Sequence, residues 1–187
     1  MKNKTDQSSS LIRALYKQKR NAQKTAFMQY YAYVKAITLR YAKTYEEAEE
    51  LVNDTFYKAF TKIKTFHKDG NFKTWIGQIA VNTCIDKYRK NLRVIHTKNI
   101  EEVSLNSLPQ TNQSIDEEVE ILPAIKNLPE KYRLVFNLYV FEEYTHIEIA
   151  EKLDIAEGTS KSCLSRAKKI IKDYLLANPD KIRIENG

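Results

Sequence analysis

The sequence predicts an all-α protein made of two small helical domains joined by a flexible linker. Three observations lead to this prediction. The 187 residues include only four glycines and four prolines, so few positions interrupt regular structure. Apolar residues recur every three or four positions over long stretches, which is the spacing of helices with one buried face. Between residues 96 and 114 that periodicity gives way to polar residues, Pro109 and two asparagine-containing turns.

A basic N-terminal segment, residues 1–25, precedes the first domain, which we place at residues 26–95. The first helix of this domain is indicated by an apolar stripe made of Phe27, Tyr30, Val34, Ile37 and Tyr41. Thr44 with Glu47 three residues later forms a capping box that begins a second, long helix. The inward face of that helix consists of Ala48, Leu51, Val52, Phe56, Ala59, Phe60 and Ile63.

A third helix follows the loop at residues 66–70. Asn71 is a residue type that caps helices. The apolar positions after it are Phe72, Trp75, Ile76, Ile79, Ala80 and Tyr88. Trp75 and Tyr88 could stack on unpaired bases. An aromatic residue at helical spacing belongs more often to the core, and this is our expectation for Trp75.

The second domain is predicted at residues 115–187. Ser114 with Glu117 forms a capping box, and we expect Pro123 to interrupt the helix that starts there. The sequence Leu128-Pro129-Glu130 opens another helix. The apolar positions of that helix are Tyr132, Val135, Phe136 and Tyr139.

A helix, a turn and a second helix follow in this domain. Thr145 and Glu148 form a capping box at the first of these helices, and Gly158 is placed at the turn, where a missing side chain allows close approach. Residues 158–172 contain five lysines or arginines and no acid. The polar face is expected to carry Ser160, Lys161, Ser165, Arg166, Lys168 and Lys169. This pattern favours a helix-turn-helix that reads a major groove, although a basic helix can also simply face water.

Charge is distributed unevenly along the chain, which has a net charge of +7 and a pI near 9.2. Residues 1–25 hold seven basic side chains and one acid, and residues 71–98 hold six basic side chains and one acid. Residues 101–120 hold six acids and no base. This segregation indicates nucleic-acid surfaces on two bodies separated by an acidic connector, or else a basic protein whose charges are only solvated.

Composition excludes several other classes of protein. The mean hydropathy of −0.56 and the lack of a long apolar run predict no membrane insertion. Cys84 and Cys163 are far apart and form no CxxC pair, so we expect a cytoplasmic protein with neither a disulfide framework nor a metal site. The sequence has no glycine-rich phosphate loop, and no cofactor is predicted.

An acidic cluster lies at the start of the second helix. Its members are Glu46, Glu47, Glu50, Asn53 and Asp54. Acids at this end of a helix favour the helix dipole, and Glu50, Asp54 and Lys58 have the spacing of ion pairs within a helix. The cluster is therefore explained either by helix stability alone or by a protein-docking surface, since acids repel DNA.

The polar side of the third helix mixes amides, acids and cations at a spacing of about one turn. Its members are Asn82, Thr83, Asp86, Lys87, Arg89, Lys90 and Arg93. Amide and carboxylate groups form directional hydrogen bonds with base edges, whereas cations neutralise phosphates. A helix that bound only phosphate would have little use for Asn82 or Asp86, so this helix is predicted to read bases.

Taken together, these patterns resemble the extracytoplasmic-function (ECF) sigma factors, the smallest group of the bacterial sigma-70 family. AEELVNDTF at residues 48–56 is similar to region 2.2 of that family, and FKTWIGQIAVNTCIDKYR at residues 72–89 is similar to regions 2.3 to 2.4. LPEKYR at residues 128–133, followed by GTSKSCLSRAK at residues 158–168, resembles region 4. The three matches occur in the family order and span nearly the whole chain.

The resemblance implies a promoter-recognition subunit of bacterial RNA polymerase. In the family, region 2.2 docks on the clamp helices of the largest polymerase subunit, and a second contact is made with the flap. The core-polymerase contacts implied here are Glu50, Asn53 and Asp54. The residues implied to read the −10 element as its strands separate are Asn82, Thr83, Asp86, Lys87 and Arg89, with the loop from Phe66 to Asn71 helping to hold an extruded base.

For the −35 element, the resemblance places four residues in the major groove and two on phosphates. The groove residues are Lys161, Ser162, Ser165 and Arg166, and the phosphate contacts are Lys168 and Lys169. The family also implies an anti-sigma protein as a partner. The chain departs from the family pattern at Ala156, where a serine often begins the recognition helix, and at Ser160, where a small aliphatic residue is usual.

Two other functions remain as alternatives. One is a stand-alone helix-turn-helix regulator that binds duplex DNA without polymerase. The other is an enzyme such as a nuclease, for which the candidate groups are Glu46, Glu47, Glu50, Asp54, His67, His96 and His146. The sequence contains no HExxH motif and no nucleophile elbow. We therefore predict that the protein is not an enzyme, and we expect His146 to be a residue of the helix surface.

Overall fold

The computed structural model describes residues 3–67, 70–97 and 121–178 of the chain. The α-helices in these ranges are α1 (Asn3–Tyr16), α2 (Arg20–Tyr41), α3 (Tyr45–Thr61), α4 (Phe72–Thr97), α5 (Ile121–Lys126), α6 (Glu130–Val140), α7 (His146–Leu153) and α8 (Glu157–Ala177). A short 3₁₀ helix, Ile63–Thr65, follows α3, and no strand occurs in the described residues. The predicted all-α fold is confirmed.

The chain divides into two compact units, Met1–Asp86 and Lys87–Gly187. This division falls within α4, whereas the sequence predicts a linker at residues 96–114. Residues 98–114 of that linker, and Glu117 of the capping box expected after it, lie outside the described residues. The linker and its boundaries therefore stay predictions.

Helix α1 packs as part of the first unit. Leu15 near its end is fully buried, and Gln18 Nε2 donates a hydrogen bond to the main-chain oxygen of Phe60 at 2.9 Å. Gln18 adopts a left-handed φ of 53° in the turn between α1 and α2. Helix α2 begins at Arg20, before residue 26, and Ala22 in its first turns is buried. The start of the first domain at residue 26 stays a prediction.

Helix α3 begins where the sequence predicts, with Thr44 as its cap. The Thr44 hydroxyl oxygen accepts a hydrogen bond from the N–H of Glu47 at 3.2 Å. The Glu47 carboxylate in turn accepts from the N–H of Lys43 at 2.7 Å. Among the fully buried side chains of this unit are Val34, Val52, Ile63 and Ile76. Each contributes about 1.5–3 kcal/mol of hydrophobic stabilisation, so these residues hold the helices together.

Aromatic side chains form a cluster where α4 begins. The ring centroids of Phe66, Phe72 and Trp75 lie 5.3–5.5 Å from one another, and Tyr30 of α2 lies 5.1 Å from Phe72. Tyr88, further along α4, is also buried. Trp75 therefore packs with other aromatic residues as expected, and Tyr88 is not placed to stack on bases.

A cluster of charged and aromatic side chains joins α2 to α3. Lys35 forms an ion pair with Glu49, and the Lys35 Nζ lies 3.5 Å from the centroid of the Tyr45 ring. Glu49 also accepts a hydrogen bond from the Tyr31 hydroxyl at 2.6 Å. Burial opposes the charge on Glu49, but the hydrogen bonds from Lys35 and Tyr31 outweigh it and hold the pKa of Glu49 below its usual value.

Glu49 is expected to make the first unit sensitive to acid. Its carboxyl binds a proton more weakly in the folded chain than in the unfolded chain. The stability that it contributes is therefore present above the ordinary pKa of 4.5 and is lost as the pH falls through the lower folded value. We expect Glu49→Gln to lower the free energy of unfolding by about 1 kcal/mol at pH 7 and to make its decline below about pH 5 less steep.

The fluorescence of Trp75, the only tryptophan in the sequence, measures this effect in the first unit. Tyr31→Phe removes the hydrogen bond from Tyr31 to Glu49 and should give an acid-induced decline between those of the wild type and Glu49→Gln. Identical declines in the wild type and Glu49→Gln would contradict the assignment.

The second unit is formed around α6, α7 and α8. Pro123 is the third residue of α5 and does not interrupt it, which corrects the prediction. The start predicted for this helix, at Ser114, lies outside the described residues. At α7 the predicted capping box is confirmed. The Thr145 Oγ accepts from the N–H of Glu148, and the Glu148 carboxylate accepts from the N–H of Thr145 at 2.8 Å.

The turn between α7 and α8 differs from the prediction. Gly158 is the second residue of α8, and a side-chain carbon added there would meet no atom within 4 Å. The left-handed residue is instead Asp154, with a φ of 54°. Ala156 is the residue before α8 and provides no side-chain hydrogen bond to its first turn. Aspartate is one of the few residues that adopt the left-handed conformation readily, so the turn does not require glycine.

Candidate nucleic-acid interfaces

Helix α8 separates its buried and exposed side chains onto two faces. The buried side chains include Cys163, Leu164, Ala167 and Ile171. All six residues predicted to meet the −35 element are exposed, namely Lys161, Ser162, Ser165, Arg166, Lys168 and Lys169. Their spacing places them on one side of the helix. The structure therefore brings these six residues together on a cationic surface.

Two contacts orient long side chains on this surface. Arg166 Nη1 donates a hydrogen bond to the Tyr132 hydroxyl at 3.0 Å, and this bond raises the pKa of the Arg166 guanidinium. Lys161 forms an ion pair of 2.7 Å with Glu157, one turn earlier in α8. An exposed pair of this kind is worth only about 0.2–1 kcal/mol, so Lys161 can exchange it for a contact with DNA.

Ser160 is not part of this surface, contrary to the prediction. It is 0% exposed, and its Oγ lies 3.0 Å from Nδ1 of His146 at the start of α7. The His146 ring stacks on Tyr139 of α6, with the ring centroids 4.7 Å apart. A buried hydroxyl needs a hydrogen-bond partner, and His146 supplies one. His146 is half-buried at the start of α7, and through Ser160 and Tyr139 it also contacts α8 and α6.

The predicted base-reading residues of α4 do not all reach the surface. Asn82 and Asp86 are exposed one turn apart, and Lys87 is half-buried beside them. Thr83 is 2% exposed, and its hydroxyl donates a hydrogen bond to the main-chain oxygen of Ile79 at 2.8 Å. A hydroxyl buried in this way cannot reach a base, so we leave Thr83 out of the candidate DNA surface.

Two charged residues of α4 form hydrogen bonds with other helices of their own units. Asp86 accepts a hydrogen bond from Lys58 Nζ of α3 at 2.9 Å. Arg89 donates to the main-chain oxygen of Lys152, within the second unit. The pairing with Lys58 partly neutralises Asp86 and so lowers its repulsion of DNA phosphates. The sequence did not indicate this pairing, because the two residues are 28 positions apart.

A different exposed surface lies on α3. Glu50, Asn53 and Asp54, which are predicted to dock on a protein, are all exposed and lie within about one turn of one another. Tyr57, one turn further along, is 73% exposed. Tyr57 is not among the residues predicted from the sequence, although its position outside the apolar stripe of the helix is a signal of exposure. Exposed aromatic residues are enriched at protein interfaces, so this surface suits a protein better than DNA.

Within residues 3–67, 70–97 and 121–178, no group of three or more His, Cys, Asp or Glu side chains is arranged so that it could bind a metal ion. Cys84 and Cys163 are buried, and burial raises the pKa of the Cys163 thiol. No described helix combines the length and the apolar character needed to cross a bilayer.

Two stretches of the chain match known protein families. Residues 26–94 match Sigma-70 region 2, and residues 118–171 match Sigma-70, region 4. The chain belongs to the sigma-70 family. In this sigma factor, the α3 surface and the exposed residues of α4 lie in region 2, and the six exposed residues of α8 lie in region 4.

Similar proteins assign the sigma factor to a group within the family. The ECF RNA polymerase sigma factor SigW of Bacillus subtilis is 31% identical over 141 residues, covering 69% of this chain and 75% of SigW. The ECF sigma factor SigM of the same organism is 32% identical, covering 67% of this chain and 77% of SigM. The sigma factor YlaC is 27% identical, covering 84% of this chain and 94% of YlaC. The resemblance to ECF sigma factors is thereby confirmed.

Proposed function

We propose that this ECF sigma factor directs core RNA polymerase to promoters that contain a −10 and a −35 element. The observation that carries the proposal is the difference in chemistry among three exposed surfaces. The α3 surface is acidic, the α4 surface combines an amide with charged groups, and the α8 surface is cationic with hydroxyls. Each chemistry suits one of the three partners that a sigma factor must bind.

Helix α8 is proposed to enter the major groove of the −35 element. Lys161, Ser162, Ser165 and Arg166 lie near its N-terminal half, which is the part of a recognition helix that meets base edges. Lys168 and Lys169 follow on the same side and would contact phosphates. Each phosphate contact should add about one unit to the dependence of binding on salt.

Helix α4 is proposed to read the −10 element while the strands separate. Asn82 and Asp86 offer hydrogen bonds to base edges, and Lys87 and Arg89 offer charge for the backbone. Extruding a base costs a few kcal/mol of stacking and pairing. Hydrogen bonds that form only with the exposed base offset this cost, so selectivity arises at the opening step.

The α3 surface is proposed to dock on the clamp helices of the largest polymerase subunit. Glu50, Asn53 and Asp54 supply negative charge and an amide, and Tyr57 extends the surface with an aromatic ring. Acidic groups repel DNA and attract a cationic protein surface. In this scheme polymerase supplies the catalysis, and the sigma factor is not an enzyme. It acts in the cytoplasm with polymerase, and an anti-sigma protein is expected to control it.

In vitro transcription with core polymerase on a randomised promoter library tests the proposal. We expect enrichment of two short sequence blocks at a fixed separation, because two domains must bind at once. In gel shifts, the sigma factor alone should bind the selected promoter weakly, and addition of core polymerase should strengthen binding. The same DNA with both blocks scrambled is the control. Tight binding of a palindrome by the free protein would support a stand-alone regulator instead.

A further inference from the structure

Tyr132 of α6 contacts the guanidinium of Arg166, a side chain that the proposed function places in the major groove of the −35 element. Its hydroxyl oxygen accepts the hydrogen bond from Arg166 Nη1 at 3.0 Å. Tyr132 is half-buried on α6, whereas Arg166 is exposed on α8. Nothing in the proposed function requires Tyr132 itself to touch DNA, so the contact needs an explanation of its own.

Helix α6 gives Tyr132 a fixed position. Its side chains Leu134, Val135 and Leu138 are buried, so the helix is anchored in the core of the second unit. A tyrosine ring has few rotatable bonds, whereas an arginine in water samples many rotamers and loses that freedom when it binds. A hydrogen bond from the mobile side chain to the fixed ring therefore restricts the guanidinium before DNA arrives.

The bond also leaves the guanidinium able to recognise a base. Arginine has five N–H donors in a planar fork. The bond to Tyr132 uses Nη1, so the edge formed by Nε and Nη2 can still present two parallel donors. Two such donors match the O6 and N7 atoms of a guanine in the major groove.

We propose that Tyr132 is a positioning residue that orients Arg166 for reading one base pair of the −35 element. The inference rests on the proposed function, since it requires that Arg166 reads DNA. It adds to that function a residue outside the recognition helix that sets how strongly one base pair is preferred.

The test compares Tyr132→Phe with the wild type in complex with core polymerase. Phenylalanine keeps the ring and removes only the hydroxyl. Affinity is measured on promoters in which each −35 position is changed in turn, and Arg166→Ala identifies the position that Arg166 reads. We expect Tyr132→Phe to lower the preference at that position about fivefold, the order of effect of ordering one long side chain, and to leave other positions unchanged.

Tyr139→Phe is the matched control, because it removes a hydroxyl from the same helix while keeping the ring that stacks on His146. It should leave the preference unchanged. Nitrogen-15 relaxation of the Arg166 side chain in the DNA-free protein is a second readout. Tyr132→Phe should increase its mobility, an effect that a general loss of stability would not restrict to this residue.

The possible outcomes separate the two proposals. If Arg166→Ala changes no preference, the role of Arg166 in the proposed function is wrong. Suppose instead that Arg166→Ala removes a base preference, but Tyr132→Phe changes neither that preference nor the mobility of Arg166. In that case only the present inference is wrong. In the Arg166→Ala background, Tyr132→Phe should have no further effect. A persistent effect would mean that Tyr132 acts independently of Arg166.

Discussion

Replacing Arg166 with alanine is expected to weaken binding to the preferred −35 element by about 1–3 kcal/mol and to abolish the preference at one base pair. Arg166 is exposed on α8, and its guanidinium is charged and held by Tyr132. Two parallel N–H donors bind guanine better than any other base. Their loss should therefore weaken binding mainly to the sequence that carries the guanine. Folding should be unaffected, because the side chain is not part of the core.

The measurement is the affinity of the complex with core polymerase for promoters that differ at single −35 positions. Lys168→Ala is the matched control on the same face of α8. It should weaken binding to every sequence alike and lower the salt dependence by about one unit, as loss of a phosphate contact does. If Arg166→Ala also weakens binding to all sequences equally, Arg166 contacts phosphate and reads no base.

Reversing the charge of Asp54 is expected to weaken binding to core polymerase by about tenfold or more, because a like charge placed in an interface costs up to several kcal/mol. Asp54 is exposed beside Asn53 on α3. If this surface meets a cationic patch of the polymerase, Asp54→Lys replaces an attraction by a repulsion. Because the side chain is exposed, the thermal unfolding of the first unit should change little.

Equilibrium binding of labelled sigma factor to core polymerase, without DNA, measures this effect. Glu151→Lys is the control, since it makes the same change of charge at an exposed position of α7. It should leave the affinity nearly unchanged. Equal losses in the two variants would point to a general effect of net charge, and an unchanged affinity of Asp54→Lys would remove Asp54 from the docking surface.

Local sequence signals predicted local structure well. The caps at Thr44, Asn71 and Thr145 are confirmed by hydrogen bonds to residues two or three positions later. Such bonds depend only on residues within one turn of helix, so a few letters of sequence are enough to specify them. Apolar periodicity likewise identified the buried faces of α3 and α4, because the helical repeat alone places those residues together.

Residues with short polar side chains were the least predictable part of the candidate site. Thr83 and Ser160 both have helical positions compatible with an exposed face, yet both are buried. A short hydroxyl can be buried at little cost when it finds a partner. Thr83 finds one in its own helix, at Ile79, and Ser160 finds one on another helix, at His146. The sequence does not show in advance that a partner will be there.

The sequence by itself determined the helical class, the starts of α3, α4, α6 and α7, the cationic face of α8 and the family, because these depend on caps, periodicity and motifs within short stretches. The tertiary structure decided which side chains contact one another. Tyr132 is hydrogen-bonded to Arg166, 34 positions away, and Lys58 is hydrogen-bonded to Asp86, 28 positions away. These contacts depend on the angle and distance at which two helices pack. Packing is set by the shapes of many buried side chains at once, which no local pattern encodes.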